Sequence, residues 1–202
     1  MSWITVIPYN ISTGKLRMIY DRIRGKNGQI DNVMSVHSLR PHTLVGHINL
    51  YKNVLHHKDN SVPQWFLECL GVWTSILNEC DYCIKHHFEG MKRLLNNDLL
   101  AERLLKTLKA GDLRSVGLKE VEIQALEYAR TLTLTPGDLT EEHVNIIKKL
   151  GYTDGEILEV NQVVAYFNYA NRTVLGLGVN TKGEVLGLSP NDSDDEESWT
   201  HR

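Results

Sequence analysis

Between Trp65 and Leu77 the sequence leaves almost no polar surface. Trp65, Phe66, Cys69, Val72, Trp73, Ile76 and Leu77 cover every side of a helical rod that opens behind Pro63, with Ser61 near its cap. A helix that is apolar all round has to be wrapped by other elements. With 202 residues the chain is long enough to supply that wrapping as one good-sized core. The apolar content of residues 61–77, too large for one face, is also expected to bury against a second subunit. Glu68 breaks the pattern. A buried carboxylate without partners is costly, so this one is expected to face a polar group.

The rest of the chain reads as more helices. An extended arm over residues 1–10 closes at Pro8, and Ile11 to Tyr20 suits a short helix. Gly25, Asn27 and Gly28 mark a loop, and Asp31 to Ser38 a second short helix. Behind Pro41, Leu44, Ile48, Tyr51 and Leu55 recur at helical spacing. Leu99, Leu100, Leu104, Leu105 and Leu108 form an amphipathic run closed by Gly111, and the pattern repeats from Lys119 to Leu132. Thr135 to Asp138 is a turn, and Thr140 caps the next helix. Thr153 and Glu156 make a capping box that starts the longest helix, running to about Leu175. No alternating strand pattern of any length competes, so the expected fold is all-α. From about Asn180 the periodicity is lost, and Asn191 to Ser198 is an acidic block too polar to bury. The expected organisation is one helical domain over 1–179 and an acidic, disordered tail over 180–202, with Trp199 an exposed aromatic in it.

The chemistry concentrates where the apolar rod ends. Cys80 and Cys83 form a C-x-x-C pair, and His87 follows four residues after the second. On a helix these three share one face, and Cβ atoms about 5–6 Å apart allow the thiols to close a disulfide after a small adjustment. Asn78 is a candidate N-cap, which would place Cys80 in the first turn, where the helix dipole favours thiolate. Zinc on Cys80, Cys83, His86 and His87 is disfavoured, because one helix cannot wrap a tetrahedron; neither metal nor cofactor is expected. Cys69 reads as a packed core thiol, His86 as exposed, and His37, His42 and His47 as structural. The net charge of −3 gives no reason to expect nucleic acid or an anionic membrane as partner. No apolar run spans a bilayer. Three cysteines and a start without a signal-peptide pattern fit a reducing, cytoplasmic setting.

Glu68, eleven residues, Cys80-Asp-Tyr-Cys83, three residues and His87 make an E-x11-C-x2-C-x3-H pattern. This resembles the alkylhydroperoxidase AhpD-like proteins of the carboxymuconolactone decarboxylase superfamily, most closely the peroxidase-related branch. Ser2-Trp-Ile, Asn32, His37-Ser38-Leu39, Leu50-Tyr51, Gly151-Tyr-Thr-Asp154 and Asn168-Tyr-Ala-Asn171-Arg172 belong to the same resemblance, which covers residues 2–179. One departure concerns the proton path: the AhpD prototype carries a histidine just before its second cysteine, where this chain has Tyr82. The resemblance implies a helical bundle forming dimers, trimers or hexamers, and reduction of a hydroperoxide by the cysteine pair with a dithiol of lipoyl or thioredoxin type as donor.

The residues suit that chemistry. A thiolate attacks the peroxide, becomes a sulfenic acid and condenses with a second thiol. Cys83 is expected to attack and Cys80 to resolve, although the helix-end argument ionises Cys80. His87 would serve as base and acid, Glu68 would orient it, and Tyr82 would add a hydroxyl or only pack. The competing readings are a non-peroxidatic thiol–disulfide oxidoreductase or redox sensor, and a carboxymuconolactone decarboxylase-like enzyme, against which the retention of both cysteines argues.

Overall fold

The apolar rod forms α4 (Gln64–Leu77), the axis on which the other helices are laid. This is a computed structural model, and it describes residues 2–24 and 28–187. Before α4 come α1 (Gly14–Ile23), α2 (Asn32–Ser35) and α3 (Pro41–Leu55). After it come α5 (Asp81–Leu95), α6 (Asp98–Ala110), α7 (Glu120–Leu134), α8 (Glu141–Lys149) and α9 (Asp154–Gly176). Among the described residues there are nine α-helices, two 3-10 turns and no strand. The loop residues Gly25 and Asn27, the acidic block 191–198 and Trp199 lie outside the described residues.

Phe66, Leu67, Cys69, Leu70 and Val72 are fully buried, and α4 packs against α3, α5, α6, α7 and α9 of the same chain. Each such side chain contributes about 1.5–3 kcal/mol on burial. Most of the apolar surface of α4 is thus covered inside one chain, with Trp65, Ile76 and Leu77 half-buried.

Polar contacts fix how the rod sits. Trp73 donates its indole N–H to the Leu126 carbonyl of α7 at 2.9 Å. At the far end of α4, Ser75 Oγ donates to Asn171 Oδ1 at 3.1 Å and Asn78 Nδ2 to Asn168 Oδ1 at 3.0 Å, both on α9. Asn168 in turn donates to Thr133 Oγ1 on α7 at 3.1 Å. The helices begin and end with local partners. Asn97 Oδ1 accepts from Leu100 N–H at the head of α6, and Gly111, at φ 71°, closes it in the left-handed region. Thr153 and Glu156 exchange hydrogen bonds in the capping box of α9. The N-terminal arm is pinned at two points: Trp3 N–H donates to the Leu177 carbonyl at 2.8 Å, and Ile7 N–H to Ser38 Oγ at 2.9 Å.

Helix α4 and α9 cross closely at Gly71. A Cβ there would stand 2.2 Å from Phe167 Cζ, so only glycine leaves room for the phenylalanine ring. Gly71→Ala is therefore expected to destabilise the fold by about 1–3 kcal/mol, the range of an overpacked core. Gly46→Ala, where an added Cβ meets nothing within 4 Å, should instead stabilise by about 0.5–1 kcal/mol through helix propensity. Denaturant melts of the two variants give the comparison; a neutral Gly71→Ala would refute this account of the crossing.

Candidate functional site

The turn from α4 to α5 sets the thiol geometry. Asn78 is the C-cap of α4, Glu79 follows in the left-handed region at φ 56°, and Cys80, at φ −91° and ψ 84°, is the N-cap of α5. The expectation that Asn78 caps the thiol helix is therefore corrected: its amide bonds to Asn168, and the helix starts two residues later. A left-handed non-glycine residue costs about 1–2 kcal/mol. Here it swings Cys80 under Ser75, whose carbonyl accepts the Cys80 N–H at 2.8 Å. Cys80 thus stands at the N-cap and Cys83 one turn in.

Both cysteines are free thiols, both are buried, and they are not at disulfide distance. Their environments split them. The Cys83 thiol, hydrogen-bonded to the Cys80 sulfur, pulls the Cys80 pKa down against the opposing effect of burial, and the Cys83 backbone N–H adds to it. Cys83, hydrogen-bonded to Cys80, buried and beside its charge, is pushed well above the ordinary thiol range. Of the two thiols, Cys80 is the more acidic and Cys83 the less. That is the order the helix-end argument favours, opposite to the ionisation of Cys83 that its expected attacking role needs. Cys83, however, is the one that lines the cavity beside the pair.

Glu68 is completely buried, and its Oε2 lies 2.8 Å from His87 Nδ1 across the α4–α5 contact. Room for the carboxylate comes from Gly90 on α5: a Cβ there would stand 3.0 Å from Glu68 Oε1. The His87 ring meets Phe167 edge-on, with centroids 4.5 Å apart at 85°. Phe167 is the ring that Gly71 admits, so one close helix crossing also sets a wall for the imidazole.

Cys83 and His87 face a cavity of about 40 Å³, room for on the order of two to four waters. Its other walls include His47, Tyr51, Tyr82, His86 and Tyr166. Burial, with Cys83 and Tyr169 nearby, raises the Tyr166 pKa well above its ordinary value; Tyr51 is raised the same way, by burial and by Glu68. His47 is buried, and burial together with His37 lowers its pKa to about 3. It is neutral at physiological pH. Cys69 sits in the core with its thiol pushed up to about 12, far from the range in which it would react.

Two residues differ from their sequence reading or go beyond it. His86 is buried, its ring 4.5 Å from that of Tyr82, where an exposed side chain was expected. The cause is Glu184, which no sequence signal singled out. Its Oε2 lies 3.5 Å from His86 Nε2, and its Oε1 accepts the Tyr82 hydroxyl at 2.8 Å and the Asn32 N–H. Residues 180–187, read from sequence as the start of the tail, are held there. Asn32 Nδ2 donates to the Asn180 carbonyl at 2.8 Å, and Gln29 and Val185 exchange two hydrogen bonds. Among the described residues no three His, Cys, Asp or Glu side chains converge as a metal site, and no helix is long and apolar enough to cross a membrane.

No family model and no curated protein matches this sequence. Solved structures do. An uncharacterised peroxidase-related protein from Ralstonia eutropha JMP134, described as an alkylhydroperoxidase AhpD core, superposes with a TM-score of 0.76 at 18% identity, over 92% of this chain and 97% of that one. A peroxidase-related protein from Silicibacter sp. TM1040 gives 0.77 at 18% identity over 89% and 91%. The debrominase Bmp8 gives 0.71 at 18% identity over 89% and 92%. The chain has the AhpD-like helical fold.

The coupling within the thiol pair has a measurable sign. Because Cys80 raises Cys83 both by hydrogen bonding and by charge, Cys80→Ala should lower the pKa at which Cys83 ionises, read from thiolate ultraviolet absorbance. An unchanged titration would dissolve the pair. A separate expectation concerns acid stability. Below the ordinary value of 6.5 the unfolded chain protonates His47 while the folded chain, titrating at about 3, does not. Stability is therefore lost as pH falls from 6.5 towards 3. His47→Gln should show a shallower fall in melting temperature over that window than the parent, and a parallel curve would show that His47 is not a source of acid lability.

Proposed function

We propose that this chain is a thiol-dependent hydroperoxide reductase working through Cys80, Cys83, His87 and Glu68. The observation that carries the reading is the buried Glu68–His87 contact at 2.8 Å, whose imidazole lines the same small cavity as Cys83. A buried carboxylate holding an imidazole beside a cysteine is the arrangement that ionises a thiol. In this reading Cys83, the cavity-lining sulfur, loses its proton to the Glu68–His87 pair and attacks the distal peroxide oxygen. An S–O bond forms, the O–O bond breaks, and its electron pair leaves with the second oxygen, which takes up a proton as water or alcohol. The sulfur is now a sulfenic acid. Cys80 attacks it and expels water, leaving a Cys80–Cys83 disulfide. Closing that bond requires the two sulfurs to approach, and Cys80 at a helix N-cap preceded by a turn is the member placed to move. A dithiol of lipoyl or thioredoxin type then restores both thiols. The cavity volume favours a small peroxide over one with a bulky alkyl group.

A second reading comes from the Bmp8 likeness. One solved structure of that debrominase, a variant with a cysteine replaced by alanine, holds 2,3,4-tribromopyrrole, and the cavity of this chain is walled by tyrosines and histidines that would suit a flat aromatic ring. There the thiol pair would supply electrons for removal of bromide.

One assay separates the readings: reduced protein is mixed with hydrogen peroxide or with a bromopyrrole, and peroxide loss, bromide release and thiol content are followed. The expected result is stoichiometric peroxide loss with conversion of Cys80 and Cys83 to a disulfide and no change at Cys69. Glu68→Gln should slow the peroxide step by about 10²–10⁴-fold. Bromide release without peroxide consumption would favour the second reading, and a Glu68→Gln protein as fast as the parent would reduce the carboxylate to a packing role.

A further inference from the structure

The carboxylate–imidazole pair Glu68–His87 has a neighbour of the same kind. His86 and His87 are consecutive on α5, so they point about 100° apart around the helix. His87 meets Glu68 from α4; His86 meets Glu184 from the segment after α9. Both histidines and Cys83 line the one cavity. The two pairs differ in grip. Glu68 and His87 are at 2.8 Å, a normal hydrogen bond. Glu184 Oε2 and His86 Nε2 are 3.5 Å apart, outside hydrogen-bond range, and neither atom has a hydrogen-bond partner although both are buried. Glu184 itself is well anchored through its other oxygen by Tyr82 and Asn32. Tyr82 is in turn fixed by the Val33 N–H at 3.2 Å, and it sits one helical turn before His86. A buried charge partner held this firmly, facing an imidazole held this loosely at a cavity wall, suits a proton that has to be given away.

We infer that Glu184 and His86 form a second relay that supplies the proton to the leaving oxygen, complementary to the Glu68–His87 pair that takes the proton from the thiol. This rests on the hydroperoxide reading above. His86, at the cavity, is the donor; Glu184 is the positioning residue, and Tyr82 holds Glu184. Protons balance across the step. The thiol proton goes to the His87 side and His86 gives one to the departing alkoxide or hydroxide; when the His87 proton is passed back to His86 both rings are reset, and the sum is RSH plus R′OOH giving RSOH plus R′OH.

The test uses two oxidants that differ in how much their leaving group needs a proton. Hydrogen peroxide expels hydroxide, whose conjugate acid has a pKa of about 15.7, whereas peracetic acid expels a carboxylate with a conjugate acid near about 4. Single-turnover oxidation of the reduced full-length protein is measured with each, at one neutral pH, for the parent, Glu184→Gln and His86→Gln. Both variants should lose about 10²-fold or more with hydrogen peroxide yet stay within about threefold of the parent with peracetic acid. Alkylation of the cysteine pair by iodoacetamide should not change, because the thiol-ionising pair is intact. Tyr82→Phe, which keeps the ring and removes one anchor of Glu184, should show the same selectivity in smaller measure and serves if Glu184→Gln melts early. Equal losses with both oxidants, or no loss with either, would overturn the inference and leave Glu184 as a structural anchor. A parent that consumes neither oxidant would instead bring down the hydroperoxide reading itself.

Discussion

The Glu68–His87 contact is the constraint the rest of the arrangement answers to. A carboxylate at the centre of an apolar helix is tolerable only with a partner held against it, and breaking such a buried pair typically costs about 3–5 kcal/mol. Several choices elsewhere in the chain are the conditions for keeping it. Gly90 leaves the space that Glu68 occupies on α5, and Gly71 lets Phe167 come close enough to wall the imidazole. The asparagine and serine contacts from the end of α4 to α9 hold that crossing in register. The left-handed Glu79 turns the chain tightly enough for α5 to return along α4 with His87 facing Glu68.

The thiol pair illustrates how position on a helix decides chemistry. Shifting the start of α5 by two residues changes Cys80 from a side chain in the first turn to the residue that caps it. The backbone and thiol of Cys83 then act on the Cys80 sulfur, and the two cysteines of one short motif acquire opposite acidities. Acidity and access are divided between them: Cys80 is the more acidic, while Cys83 borders the cavity.

Much of this was legible in the sequence, and the failures have physical causes. Helices α3 to α9 follow from apolar spacing, and the capping box at Thr153 was readable because its signal is local. The boundary at α5 was not. Asn78 carries a cap-forming side chain, and Glu79 gives no sign of the left-handed conformation that glycine or asparagine would announce. Glu68 and His87 could be singled out as an acid on an apolar rod and an imidazole on the thiol face, yet their contact depends on how two helices cross. His86 and Glu184 were beyond reach for another reason. Glu184 stands in a stretch without periodicity, 102 positions after the tyrosine it binds, and its burial is produced by hydrogen bonds from Gln29 and Asn32 that no spacing rule encodes.

That separation along the chain also orders events in time. Helices α4 and α5, with both cysteines, Glu68 and His87, leave the ribosome together and can pack as a local hairpin. The carboxylate that meets Tyr82 and His86 is added 102 residues later, which at about 5–20 residues per second is about 5–20 s. Through most of that interval the newborn protein has Glu68 and His87 but neither the Phe167 ring that walls the imidazole nor the carboxylate on the other side of the same cavity. Translation itself, by its direction, delivers the Glu68–His87 side of the cavity before the side that encloses it.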